Sequence, residues 1–295
     1  MYSRPTQLVR DFGELRATDH AALLRCQSSE DLSFIPDKSV DAVITDPPYF
    51  DNLQYSELAD FFYVWLRLIL KDTYDWFKPE FSGCTSEIVK NDKLGKTVDF
   101  FNAGLQRVFV EYHRVLKDDG LLVFTFHHNK IWAWEGIAQL LIDAGFYVSA
   151  TPIVRSEGKS GFHSSKGNIR YDCVLICRKR PSSQVEESWS SLKERILEDA
   201  ALWAKRTLQS GMSVNEVDVF TIVMGKTIEY CTKAFPNGKY DDETITLVEM
   251  LKDMANLVDR VGEHARIEQS GLPDPYIQQV EQLTLFVVES KATYG

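Results

Sequence analysis

Between residues 98 and 180 the apolar pattern alternates between helical spacing and strand-like runs, and this restricts the fold more than any other feature of the chain. From Val98 to Leu116, residues Phe101, Leu105, Val108, Phe109, Tyr112 and Leu116 recur at helical spacing, and Asp119-Gly120 is expected to stop the helix before a strand over Leu121–Phe126. A second helix is predicted over Ile131–Ala144, closed by Gly145, and Phe146–Val154 and Tyr171–Arg178 read as strands. Upstream, Val40–Thr45 reads as a buried strand. Leu53–Leu70 reads as an aromatic-rich helix whose Leu58, Phe61, Phe62, Trp65 and Leu68 or Ile69 are expected to pack into the core. The polar stretch from 71 to 97 exceeds the usual length of an unstructured connection, so it is either a functional loop or partly helical. Helices that alternate with strands imply an α/β architecture with parallel strands and crossover connections.

The strand over Val40–Thr45 runs directly into Asp46-Pro47-Pro48-Tyr49. Each proline fixes its own φ and biases the residue before it toward an extended shape, so a carboxylate and a ring are held rigidly at a strand tip. In an α/β sheet the carboxyl ends of the strands are where ligands bind. His127 and His128 follow the strand over Leu121–Phe126 and fall at the same kind of edge, where substrate contact or loop hydrogen bonding is expected; a metal site would need a third ligand. The segment Glu157–Gly167, which contains Lys159, is rich in glycine and serine but lacks phosphate-loop spacing, and reads as a mobile loop near substrate.

Asp-Pro-Pro-Tyr after a β-rich run resembles the catalytic motif of S-adenosylmethionine-dependent methyltransferases that act on an exocyclic amine, the Asp form being typical of adenine N6 DNA methyltransferases. The likeness continues through Asp41–Asn52, Tyr55–Leu66, Tyr112–Gly120 and Cys173–Arg180. Over about residues 26–180 the chain is similar to the large prokaryotic adenine-specific DNA methylases, some of which carry a zinc-ribbon module. The resemblance implies a partial Rossmann-like class I methyltransferase sheet with helices on both faces, followed by a mostly helical C-terminal region. The strands would be the fourth to seventh of that sheet, the last two forming its antiparallel pair. A catalytic domain would span 1–180 and a helical region 184–295. Asp46 and the carbonyl of Pro47 would accept hydrogen bonds from the target amine, Pro48 would stiffen the motif, and Tyr49 would stack on an extruded base. Phe50, His127 and Lys159 are candidate substrate contacts, and Ser28, Ser29 and Glu30 match the place where family members line the adenine pocket of S-adenosylmethionine.

Composition complicates this picture. With 33 basic and 43 acidic side chains the net charge is -10, unexpected for a protein that holds DNA, since phosphate neutralisation supplies most of such affinity. Either the DNA grip lies elsewhere or basic residues are focused locally, with Lys159, Lys166, Arg170, Arg178, Lys179 and Arg180 as candidates. The five cysteines lack paired spacing, which indicates neither a disulfide framework nor a zinc site, and Cys173 and Cys177 share one strand face suited to packing. No apolar run approaches the ~20 residues of a membrane span, and the protein is expected to be cytoplasmic. After Pro181-Ser182-Ser183, a plausible boundary, Ser191 with Glu194 and Thr246 with Glu249 read as capping boxes. Val219–Ala234 is a further helix, Pro236-Asn237-Gly238 a turn, and the whole region is expected to serve packing or interaction.

One departure matters. Methyltransferases of this type carry a glycine-rich Phe-x-Gly-x-Gly element at the first strand, and no such element stands on either side of Asp46. The chain therefore reads as the C-terminal half of such an enzyme, needing an upstream segment or partner subunit for the cofactor, with exposed apolar surface expected at the missing sheet edge. Alternatives are a non-catalytic assembly or regulatory module, or methylation of an RNA base or a protein amide.

Overall fold

The computed structural model describes residues 6–25, 27–48, 54–82, 87–156, 170–181, 187–211, 214–234, 239–240 and 243–267. Its centre is a five-stranded sheet in the order β3 (Val40–Thr45), β4 (Leu116–Phe126), β7 (Tyr171–Lys179), β5 (Phe146–Ala150), with β6 (Ile153–Arg155) also paired to β7. β3 and β4 are parallel, and β7 runs antiparallel to β4, β5 and β6. Helix α3 (Val98–Val115) crosses from β3 to β4, and α4 (Ile131–Asp143) leads from β4 toward β5. This is the α/β sheet the alternation implied, with an antiparallel strand inserted between parallel neighbours. Ahead of it, β1 (Gln7–Val9) and β2 (Ala21–Leu23) form a separate parallel pair around α1 (Phe12–Ala17).

Alternation along the strands explains where the core lies. Leu122, Phe124 and Phe126 of β4, Cys173, Leu175 and Cys177 of β7, and Phe146 and Val148 of β5 point to one face and are buried. Onto that face pack Phe109 of α3 against Phe124, with ring centroids 5.6 Å apart, and Trp134 of α4 edge-on to Phe126 at 5.0 Å. The alternate residues, Val123, Thr125, Val174 and Ile176, are only half-buried, and Ile44 of β3 is 79% exposed. Cys173, Cys177 and Cys231 are buried free thiols whose burial pushes their pKa upward, for Cys231 to about 12.

The helices after Pro181 belong to the same core. α6 (Glu216–Ala234) lies on β5 and β7, where the Thr232 hydroxyl accepts from Val148 N at 2.9 Å and Thr151 donates to Glu229 at 2.7 Å. Gly225 permits this approach: a Cβ there would stand 2.7 Å from the Cys173 sulfur. Lys226 sits beside Glu229 at 2.8 Å, both buried. Burial pushes Glu229 upward, but Lys226, Thr151 and Lys233 outweigh it and hold the carboxyl below its ordinary range. α5 (Trp189–Gln209), α7 (Leu247–Ala255) and α8 (Val258–Ile267) surround α6, and a short hairpin of β8 (Lys239–Tyr240) and β9 (Glu243–Thr244) precedes α7.

Several local expectations change. β4 begins at Leu116 and runs through Asp119-Gly120, because Gly120 lets the chain pass Asp41 O, which a Cβ would meet at 3.1 Å. The single strand expected over Phe146–Val154 is two, separated by Thr151-Pro152, where proline has no N–H to give the ladder. α5 starts at Trp189 with Ser188 as its cap, accepting from Ser191 N, rather than at a box of Ser191 and Glu194; the box of Thr246 and Glu249 is present on α7. The stretch 71–97 is partly helical, with short 3-10 turns at Asp75–Phe77 and Asp92–Leu94. Pro236-Asn237-Gly238 lies outside the described residues.

The largest correction concerns α2 (Tyr55–Leu70), none of whose side chains is buried. Its polar stripe meets the segment that follows it instead. Asp60 accepts from Ser82 N at 2.6 Å, Tyr63 OH donates to Pro79 O at 2.9 Å, and Arg67 donates to the same carbonyl at 2.7 Å. The segment that follows α2 thus folds back onto the polar stripe. Leu58, Phe61, Phe62, Trp65, Leu68 and Ile69 are left exposed.

Candidate active site

The tip of β3 carries Asp46-Pro47-Pro48, and strand alternation sends successive residues to opposite sides. Thr45 pairs with Phe124 on the helix-covered face, so Asp46 falls with Thr125 on the other face, open in that the described helices α3, α4 and α6 do not pack on it. There the Thr125 hydroxyl donates to the Asp46 carboxylate. Pro47 is buried on the other side. With Pro48, Phe101, Phe126, His128 and Trp132 it lines a cavity of about 710 Å³ between α3 and α4. The motif thus divides two environments, a carboxylate on the open face and an apolar cavity behind it.

The amino end of α2 approaches this carboxylate. Gln54 provides no side-chain cap there, and Glu87 from the distant loop does so, accepting from Ser56 N at 3.0 Å and from the Ser56 hydroxyl at 2.5 Å. Gln54 in turn donates to Lys90 O at 3.0 Å, which fastens the 87–92 segment beside the site. Burial, and then the negative charges of Asp46 and Glu87, push the Tyr55 hydroxyl pKa up, which places that ring within electrostatic reach of Asp46.

His127 lies one residue past β4, and its Nδ1 hydrogen-bonds Asp172 Oδ1 at 2.5 Å. Because β7 is antiparallel to β4, the start of β7 meets the end of β4, which brings Asp172 to this edge. His128 takes a structural part: its Nδ1 accepts from Lys130 N at 3.0 Å and its carbonyl accepts from Trp134 Nε1 at 2.8 Å. Ser28, Ser29 and Glu30 form a turn in which Ser28 Oγ accepts from Glu30 N at 3.2 Å, and Arg107 of α3 binds Glu30 at 2.6 Å. The contacts of that turn therefore run to α3. Tyr49, Phe50 and Lys159 lie outside the described residues.

The expected basic focus is redistributed. Arg178, Lys179 and Arg180 end β7 at the opposite edge of the sheet from Asp46, where Lys179 donates to Leu116 O at 2.6 Å and Arg180 to Thr232 O at 2.9 Å. Lys159 and Lys166 lie outside the described residues. Sequence reasoning missed Thr125, Asp172, Tyr55 and Glu87. Tyr55 stood within a matched stretch, but the other three become neighbours only through strand register and loop closure.

A model of a DNA methylase family, the N6/N4 methyltransferases, matches residues 40–239. No curated protein matches the chain. Among solved structures the chain is similar to a putative DNA modification methylase from Thermus thermophilus, at 14% identity over 88% of this chain and 95% of that one, with a TM-score of 0.28. The family match begins with β3, takes in Asp46-Pro47-Pro48-Tyr49 and ends at β8, so it embraces the whole sheet and the helices that cover it. The chain belongs to this DNA methylase family.

Proposed function

We propose that the chain is the catalytic half of a DNA methyltransferase that methylates the N6 amine of adenine, and that a partner polypeptide or upstream segment completes its site for S-adenosylmethionine. The observation that carries this reading is the rigid carboxylate at the tip of β3, oriented by Thr125 on an open sheet face. An adenine amine is a poor nucleophile because its lone pair is delocalised into the ring. Asp46 accepts one amine hydrogen and the Pro47 carbonyl, which no neighbouring proline N–H competes for, accepts the other; this draws the nitrogen toward a tetrahedral shape. Tyr49 stacks on the extruded base, and His127 contacts it from the end of β4.

The described residues do not by themselves complete a site for the methyl donor. The sequence holds no Phe-x-Gly-x-Gly element, and the Glu30 carboxylate expected to help bind the donor's adenosine is engaged by Arg107. Two features support a partner. β3 ends the sheet on the Asp46 side with Ile44 exposed, and a sheet edge is a template for a further strand. α2 satisfies its polar stripe with its own following segment and turns its apolar stripe outward, an inversion that a covering polypeptide would resolve. A partner seated there would also bring cover to the open sheet face.

The test is transfer of labelled methyl groups from S-adenosylmethionine to duplex DNA by the chain, isolated with its co-purifying partner from its native cells. Duplexes would carry either adenine or cytosine as the only exocyclic amine acceptor in the targeted strand. Label should enter the adenine duplex, with Asp46→Ala lowering kcat by at least about 10²-fold. Label in cytosine only, or an active Asp46→Ala protein, contradicts the reading. Full activity of the purified chain alone contradicts the need for a partner.

A further inference from the structure

We infer that Asp172 is a positioning residue for His127, and that the His127 imidazole removes the proton the target amine must shed; this rests on the amine-methylation reading above. In methyl transfer the amine gains a bond to carbon, the electrons of the broken bond stay with the donor's sulfur, and the methylated nitrogen releases one proton. Imidazole is the usual side chain for moving a proton near neutral pH. The chain places one where it is needed. His127, one residue past β4, is two residues from Thr125, about 7 Å along the strand direction, and alternation puts it on the same face as Thr125 and Asp46. Asp172 reaches the imidazole from the facing end of β7.

A carboxylate can only accept, so contact with Asp172 requires the hydrogen of the imidazole on Nδ1. Nε2 is then the basic atom, and it receives the proton that the methylated nitrogen gives up through the Asp46 carboxylate. Asp172 also stabilises the imidazolium that results. The couple is largely withdrawn from solvent, with side-chain exposures of 22% for His127 and 15% for Asp172. That shielding strengthens the coupling between carboxylate and ring. Asp172 is therefore assigned a role that neither its place in the sequence nor the Asp-Pro-Pro-Tyr motif reveals.

The experiment pairs Asp172→Asn and Asp172→Glu with His127→Gln in the partnered enzyme. It reads steady-state methylation of adenine duplex together with long-range nitrogen–proton NMR of imidazoles labelled in the full chain, using His127→Gln to assign the signal. Asp172→Asn is isosteric, and its amide can donate to Nδ1. The expected result is a hydrogen moved to Nε2, a kcat lowered by about 10- to 100-fold with KM for DNA unchanged, and partial recovery in Asp172→Glu. A kcat within twofold of the parent, or a fall in kcat with the tautomer unchanged, overturns the assignment. If Asp46→Ala remains active while these variants fail, the methylation reading falls rather than the couple. If no protein transfers methyl groups, addition of adenine duplex must still perturb the His127 signal, and an unmoved signal overturns the proposal on its own.

Discussion

Gly225 is the point at which α6 meets the sheet, and replacing it tests whether the helices beyond Pro181 are packed as described. In an isolated helix, Gly→Ala at a central position stabilises by about 1 kcal/mol. Here the new methyl would stand 2.7 Å from the Cys173 sulfur and 3.6 Å from Thr151 Cβ. Cys173 is 1% exposed and held on β7 between β4 and β6, so it has little room to yield. Overpacking of this kind costs about 1–3 kcal/mol, which leaves Gly225→Ala with a net loss of up to about 2 kcal/mol. Cys173→Ala removes the obstructing atom. In that background Gly225→Ala should recover most of the helical gain, giving a coupling of about 1–3 kcal/mol between the two sites. Urea denaturation of the parent, both single variants and the double variant measures the cycle. If Gly225→Ala stabilises the parent by the same amount as it stabilises the Cys173→Ala protein, the close approach of α6 to β7 is wrong.

Three further outcomes follow from other contacts. Phe61→Glu with Trp65→Glu should change the urea midpoint little, since both side chains are exposed, yet abolish recovery of the partner in affinity purification from native cells. Lys226→Met leaves Glu229 buried without its main counter-charge and should cost about 3–5 kcal/mol in the same denaturation assay. His113, packed edge-on to Phe146, has its pKa lowered by burial and then by Lys179, so its neutral form is favoured in the folded chain. The stability this contributes is present above the ordinary value of 6.5 and is lost as pH falls from there through the lowered pKa. His113→Gln should flatten the fall in urea midpoint over that window.

The parts of the fold that the sequence made legible are those set by local pattern. Phe101, Leu105, Val108, Phe109 and Tyr112 repeat at helical spacing and do form the buried side of α3, and alternation along Tyr171–Cys177 does separate buried from half-buried residues. What the pattern could not supply was the partner of each face. In α2 the apolar stripe was identified, but periodicity cannot say which stripe meets protein, and here the polar one does. Asp119-Gly120 looked like a stop because its role, close passage beside Asp41, depends on a strand nearly 80 residues away. The site divides in the same way. Asp46 was evident from the two prolines, whereas Thr125 and Asp172 become neighbours of Asp46 and His127 only through the β3/β4 and β4/β7 registers.

The most direct test of the central claim is nucleoside mass spectrometry of DNA from the cells that encode the chain, compared with cells in which Asp46→Asn replaces the native allele. Every partner and the natural recognition sequence are then present. The account predicts that N6-methyladenine is found in the parent and falls in the Asp46→Asn cells, while N4-methylcytosine does not change. An unaltered level of N6-methyladenine, or loss of N4-methylcytosine in its place, would contradict it.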